Sequence, residues 1–409
     1  MSTAWKPFLN PADPGLYGSS NDVDWLMAEY VNESDEPRRM HEANPWIPEA
    51  RPTAERMIAA RHDETLALLG ALRSWRVCTV SQLQAGLCPV ALPDFDYGAN
   101  SLYGALLRLG CVNVGFSGRE RFERVRVPET WLSMGSVVRS TRRVLKLIGA
   151  TPAERALLTD TTVKGVGRRH ARHNTYAAHV GLTCMRDGRV DFACGDGWSA
   201  FKTIDPKAVE DAGLRSGCAA DVAVMGRNGV MAGIEVQTGM SYVFDKVRRW
   251  KDMLLHSPMD RRGLVCVWLV IGKNGMPLTD SARDALLTMG ADLDGLTSGM
   301  PPVGTRMGLA YWNDWYDAKG KPTDGFGTYV DMFGHRRGIF DPQWESFTPD
   351  RRPLDEVAEW GWRTMRGQIR DYWGWDTPGW AYPDAYRGGV NGFVTGAASK
   401  RRKAEGDGR

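Results

Sequence analysis

Ala219-Ala220-Asp221-Val222-Ala223-Val224-Met225 and Met231-Ala232-Gly233-Ile234-Glu235-Val236-Gln237, joined across Gly226-Arg227-Asn228-Gly229, form the stretch that decides the fold. Two short apolar runs on either side of a turn rich in Gly and Asn predict a β-hairpin. Side chains two apart on a strand share a face, so Glu235 and Gln237 point the same way, and a short hairpin brings Asp221 beside them. Two carboxylates and an amide in that arrangement can hold a metal ion.

Upstream, Arg168-Arg169-His170-Ala171-Arg172-His173-Asn174 opens a predicted helix running to about Met185, and Arg189-Val190-Asp191-Phe192-Ala193-Cys194 predicts a strand. Downstream, a helix is expected from about Phe244 to His256. Gly263-Leu264-Val265-Cys266-Val267-Trp268-Leu269-Val270-Ile271 is nearly all apolar and reads as a buried strand. Thr279-Asp280-Ser281-Ala282-Arg283-Asp284-Ala285-Leu286-Leu287 reads as a capped helix. Helix, three strands, helix, strand and helix is the order of a restriction-endonuclease-like αβββαβα core. The chain is thus expected to be α/β, and α+β taken as a whole. His170, His173 and His179 are too irregularly spaced for a zinc site, with no cysteine pattern beside them. The preferred expectation for that segment is a phosphate-facing basic helix carrying Arg168, Arg169 and Arg172.

Ahead of this core, His62 to Leu72 has helical spacing, Thr79 can cap a second short helix, and a third covers about Asn100 to Leu109. Cys111 to Phe116 and Glu123 to Val127, around Ser117-Gly118-Arg119, predict a second hairpin. Three helices and a hairpin predict a winged helix-turn-helix. Its third helix, ending in Arg108, would enter the major groove, and Arg119, Arg121, Arg124 and Arg126 of the wing would meet phosphates. Small helical domains with a hairpin also dimerise or dock partners, so a homodimer or a partner encoded by the same genetic element is the competing expectation.

At 409 residues the chain exceeds one ordinary core. The expected divisions are an irregular arm (1–52), the winged helix-turn-helix (53–134), a helical connector (135–165), the nuclease-like domain (166–298), an aromatic-rich region (299–398) and a basic tail (399–409). Hydrophobic residues at 43% and charged residues at 25% suit a globular protein and exclude global disorder. No apolar run reaches membrane-spanning length and the first residues lack a leader pattern, so a cytoplasmic protein with no membrane partner is expected. The seven cysteines are odd in number and never spaced C-x-x-C, which argues against a disulfide framework or zinc ribbon. A net charge of +3 is modest, so nucleic-acid binding would have to come from local clusters.

Hydrolysis of a phosphodiester needs an activated water and neutralised phosphate charge, and Mg²⁺ held by carboxylates supplies both. Asp221 and Glu235 are the candidate metal ligands. Gln237, two residues on, can orient a water but brings no charge and cannot act as a base. Lys246 of the following helix is the preferred substitute cation; a solvated helix face is the equal competitor.

At these residues the chain resembles the PD-(D/E)XK nuclease-like superfamily, and within it the replication-relaxation family of actinobacterial plasmids and mobile elements. The resemblance spans about Pro52 to Gly290. It implies a winged helix-turn-helix before the core, and an early His and Asn in the first core helix, matched loosely by Arg169-His170-Ala171-Arg172-His173-Asn174. The acidic strand positions fall on Asp221 and Glu235, and the lysine and aromatic of the next helix on Lys246 and Trp250. A further glutamate is not evident; Asp191 and Asp196 are the nearest carboxylates. Three functions follow as expectations: a Mg²⁺-dependent DNA endonuclease, a non-catalytic DNA-binding replication or regulatory protein on a degenerate nuclease fold, or an interaction protein using the aromatic C-terminal region.

Overall fold

The computed structural model describes residues 10–13, 16–17, 23–33, 37–88, 90–117, 129–150, 155, 158–159, 168, 170–187, 189–197, 199, 219–226, 231–238, 243–255, 264–271 and 303–341. They form mixed α and β structure in two units, one centred on Gly15–Ala178 and the other on His179–Gly367. The expected wing arginines Arg119, Arg121, Arg124 and Arg126, as well as Arg169, the helix at 279–287, the tryptophans beyond 359 and the basic tail lie outside the described residues.

The first unit begins with a strand where the sequence suggests an irregular arm. Strand β1 (Val23–Leu26) is followed by α1 (Ala28–Glu33), α2 (Pro37–Ala43) and α3 (Arg51–Ala59). Helix α4 (His62–Trp75) is buried almost throughout from Thr65 on. It leads through β2 (Val77–Thr79) to α5 (Val80–Gln82), which Thr79 caps as its sequence suggests. Gln82 donates its backbone N–H to the Thr79 hydroxyl at 3.1 Å, and its side chain accepts from the Thr79 backbone at 3.0 Å. Helix α6 (Leu102–Arg108) starts at Ser101, whose hydroxyl accepts the Gly104 N–H at 2.9 Å. Strands β3 (Val112–Ser117) and β4 (Thr130–Met134) complete an antiparallel sheet of order β1-β3-β4-β2. Strand β3 lies between β1 and β4, with Trp131 and Leu132 of β4 buried, and the strand expected at 123–127 lies outside the described residues.

Every residue of α6 is buried. The N-terminal segment covers it: the Trp46 carbonyl accepts the Ser101 N–H at 3.0 Å, and at Gly104 the two backbones come so close that a Cβ would overlap that carbonyl. Arg108, expected to face DNA, instead donates Nε to the Pro48 carbonyl and Nη1 to the Val31 carbonyl, both at 2.9 Å. Burial lowers its pKa from the ordinary arginine value. In this arrangement its guanidinium fastens α1 and the segment before α3 to α6, and it is not presented to a phosphate. Helix α7 (Val138–Leu147) follows β4, and α8 (Ala171–Arg186) closes the unit with its first half.

The second unit is a seven-stranded sheet of order β11-β10-β9-β8-β7-β6-β5. Strands β5 (Val190–Gly195), β6 (Val222–Gly226) and β7 (Met231–Gln237) form an antiparallel meander. Helix α9 (Val243–Leu255) then crosses over to β8 (Leu264–Val270), which runs parallel to β7 and is buried along its whole length. Strand β9 (Met307–Tyr311) lies parallel to β8, and the short helix α10 (Trp312–Trp315) leads to antiparallel β10 (Thr328–Asp331) and β11 (Arg336–Gly338). The sheet thus continues past residue 298, where the sequence suggests a boundary. Gly308 permits this extension, since Tyr329 of β10 lies where its side chain would be.

Gly104→Ala is expected to cost about 1–3 kcal/mol by forcing the Trp46 backbone away from α6. Denaturant unfolding checks this; a variant as stable as the parent would show that the close approach is not a constraint.

Candidate carboxylate and lysine site

The hairpin register builds the site. Val222 pairs with Ile234, so Asp221 sits one step beyond the last pair, opposite Glu235, and both side chains leave the same face. The Asp221 carboxylate accepts the backbone N–H of Val236 at 2.8 Å, which fixes it to the neighbouring strand. Gly233 shares that face, and its missing side chain makes room for the Trp250 ring of α9. Trp250 then donates its indole N–H to Glu235 Oε1 at 2.7 Å. Lys246, one helical turn earlier, donates Nζ to Glu235 Oε2, also at 2.7 Å, and stands 3.9 Å from Asp221 Oδ2. One face of α9 therefore holds both oxygens of one glutamate.

Exposure grades across the cluster. The Glu235 side chain is 2% exposed, Asp221 13% and Lys246 30%, so the ammonium lies on the solvent side of the carboxylate it grips. Burial, with the Asp221 charge added, pushes Glu235 up to about 7. Burial alone would pull Lys246 down. Asp221 and Glu235 outweigh it, Asp196 adds to them, and the ammonium is held charged above the ordinary lysine range. Asp196 follows β5, and Ser199, just beyond it, donates its hydroxyl to the carbonyl of Ala220 beside Asp221. Gln237 is buried at the end of β7, where its backbone carbonyl accepts the Ile271 N–H at 2.9 Å.

Among the described residues no group of three or more His, Cys, Asp or Glu is placed to hold a metal. Asp221 and Glu235 alone are nonetheless a hard oxygen donor pair of the kind that Mg²⁺ takes when phosphate and water complete its shell. The pair fits such an ion chemically, with Lys246 as the resident cation between the two. His179 is no ligand candidate. It is buried against Trp312 and Tyr316, its Nε2 lies 2.9 Å from the Gly320 carbonyl, and burial pushes its pKa down to about 3. A carbonyl only accepts, so Nε2 carries the proton.

The basic helix reads differently in space. The Arg172 guanidinium packs over Tyr17 at 5.4 Å and Tyr176 at 5.7 Å, and Arg168 is half-buried with one nitrogen on the Met27 sulfur. The fold brings Asp221, Glu235 and Lys246 together at one end of the sheet, and Gln237 ends the same strand two residues past Glu235. Of the two carboxylates that the sequence offers nearest the missing acidic position, Asp196 is the one that acts electrostatically on Lys246. No family model, curated protein or solved structure matches this chain.

The folded protein holds the Glu235 proton up to about 7 against an ordinary 4.5, so this residue lowers stability progressively as pH rises between those values. Lys246→Met removes the cation that limits this cost. The variant is expected to lose about 1–3 kcal/mol at about pH 8 and much less at about pH 5, where Glu235 is protonated. Equal losses at both values, measured by denaturant unfolding, would contradict the charge coupling.

Proposed function

We propose that this chain is a DNA-binding protein of a plasmid, phage or other mobile element, and that its second unit is a PD-(D/E)XK nuclease-like domain acting on phosphodiesters with Mg²⁺. The observation that carries the reading is the convergence of Asp221, Glu235 and Lys246 on one end of a sheet built as an antiparallel meander, a crossover helix and a parallel strand. The order α8-β5-β6-β7-α9-β8 supports it, since it has the sequence of the first six elements of the expected core, the seventh lying outside the described residues. In the first unit, α4-β2-α5-α6-β3-β4 with β2 paired to β4 supports a winged helix-turn-helix, although the covered α6 does not read bases in this arrangement. The replication-relaxation resemblance belongs to the same proposal.

Asp221 and Glu235 would hold the metal, which when bound neutralises phosphate charge and acidifies a water. The chain's own groups do the rest. Trp250 pins one Glu235 oxygen, leaving the carboxylate a fixed orientation. Lys246 sets a permanent positive charge beside both acids, where an incoming phosphate oxygen meets it. Gln237 offers an amide to orient water but takes no proton. A second reading, DNA binding without cleavage, draws on the Lys246 ammonium already seated between the acids and on the neutral Gln237.

Purified protein is expected to nick supercoiled plasmid when Mg²⁺ is supplied and to stop when EDTA removes it. Asp221→Ala should reduce nicking by more than the roughly 10–100-fold that changes around a metal's ligands cost. Equal nicking by the variant would assign the activity elsewhere; binding without nicking by the parent would favour the second reading.

A further inference from the structure

Helix α7 carries Arg139, Arg142, Arg143 and Lys146, all four exposed, and no acidic residue. Their spacing of three, one and three residues puts them on one side of the helix. Thr141, Val144 and Leu145 are buried on the other, with Ile148 just past the helix end. Among the described residues the acid in contact with this face is Glu55 of α3, which accepts from Arg143 at 2.8 Å and from Arg51 at 3.4 Å, so its one charge is shared between two guanidiniums. Among the described residues Arg142 reaches the Thr159 hydroxyl, at 3.4 Å. This row is the kind of local cluster that a net charge of +3 demands of a polyanion binder.

We propose that the exposed face of α7 is a phosphate-backbone contact for duplex DNA, separate from the carboxylate site and from the covered α6. Arg139 and Lys146 stand about 10 Å apart at about 1.5 Å per residue, the reach of about three phosphates at about 3.4 Å along one strand. An anionic lipid surface is the other polyanion to consider. An amphipathic helix binds lipid by inserting its apolar side. The apolar side of α7 is committed to the protein core, with Val137 and Leu147 the exposed large apolar residues at its ends. Charge without an insertable face suits a backbone of phosphates, read without regard to base sequence.

The proposal rests on the DNA reading above only for its partner. Binding is therefore measured in EDTA, with the full chain carrying Asp221→Ala, so that loss of cleavage and loss of docking are distinguishable. Fluorescence anisotropy on a random-sequence duplex is followed between roughly 50 and 200 mM salt. R139A/R142A/K146A is expected to flatten the slope of log affinity against log salt by about 3, close to 1 per cation removed. R139K/R142K should keep the slope, which separates charge from fold, and circular dichroism confirms the helix in each. Glu55→Gln should strengthen binding by releasing Arg143 and Arg51, an effect with the sign opposite to that of structural damage. An unchanged slope in the triple alanine variant overturns the proposal. So does a face needed for binding phosphatidylserine vesicles but not DNA.

Discussion

A carboxylate buried to 2% exposure needs a cation and donors in fixed places, and Glu235 imposes that demand on the second unit. Both oxygens are served from α9, by Lys246 and Trp250 one turn apart. That requires the helix to lie over β7, which in turn requires a residue without a side chain at Gly233. The crossover from β7 through α9 into parallel β8 delivers the helix there, and the apolar β8 gives it a core to pack beside. Strand register, glycine position and helix spacing are thus linked through one side chain.

The first unit answers a similar demand with a different device. Arg108 is a buried cation that forms no ion pair among the described residues; it donates to the carbonyls of Val31 and Pro48. A guanidinium spreads its charge over several N–H groups and is weakly hydrated, so carbonyl oxygens can satisfy it where an ammonium would be harder to bury. The consequence is a helix walled in by its own N-terminal segment. Positive charge at the surface of this unit then falls to residues such as those on α7, whose uncharged positions Thr141, Val144 and Leu145 are the ones used for packing.

Legibility in the sequence follows from how local each constraint is. The hairpin that opposes Asp221 to Glu235, the Thr79 cap and the buried strand at Leu264–Val270 depend on near neighbours and on composition, and all are present. The Lys246 contact comes from a turn of helix placed after a strand, again a short-range relation. The covering of α6 joins residues 55 apart, Ser101 and Trp46, and nothing near Gly104 announces it. Arg108 misleads because a charge reads as exposed when its two carbonyl partners cannot be foreseen. Strands β9 to β11 are short, with a glycine inside β9 and at the end of β11, so the pairing of β9 onto β8, and of β10 and β11 beyond it, emerges only once β8 supplies an edge.

The difference between Gln237 and Lys246 shows why position in space outweighs position in sequence here. Glu235 and Gln237 share a strand face, so a lysine at 237 would approach the acids along the sheet. Lys246 approaches from the helix above and already stands within 2.7 Å of one acid and 3.9 Å of the other. A second ammonium at 237 would add like-charge repulsion and a further desolvation cost to a pocket whose charge one lysine already tempers. A neutral amide keeps the hydrogen-bonding capacity without that cost. The arrangement is therefore electrostatically self-consistent, with the strands giving the acids and the helix giving the charge that lets Glu235 stay buried.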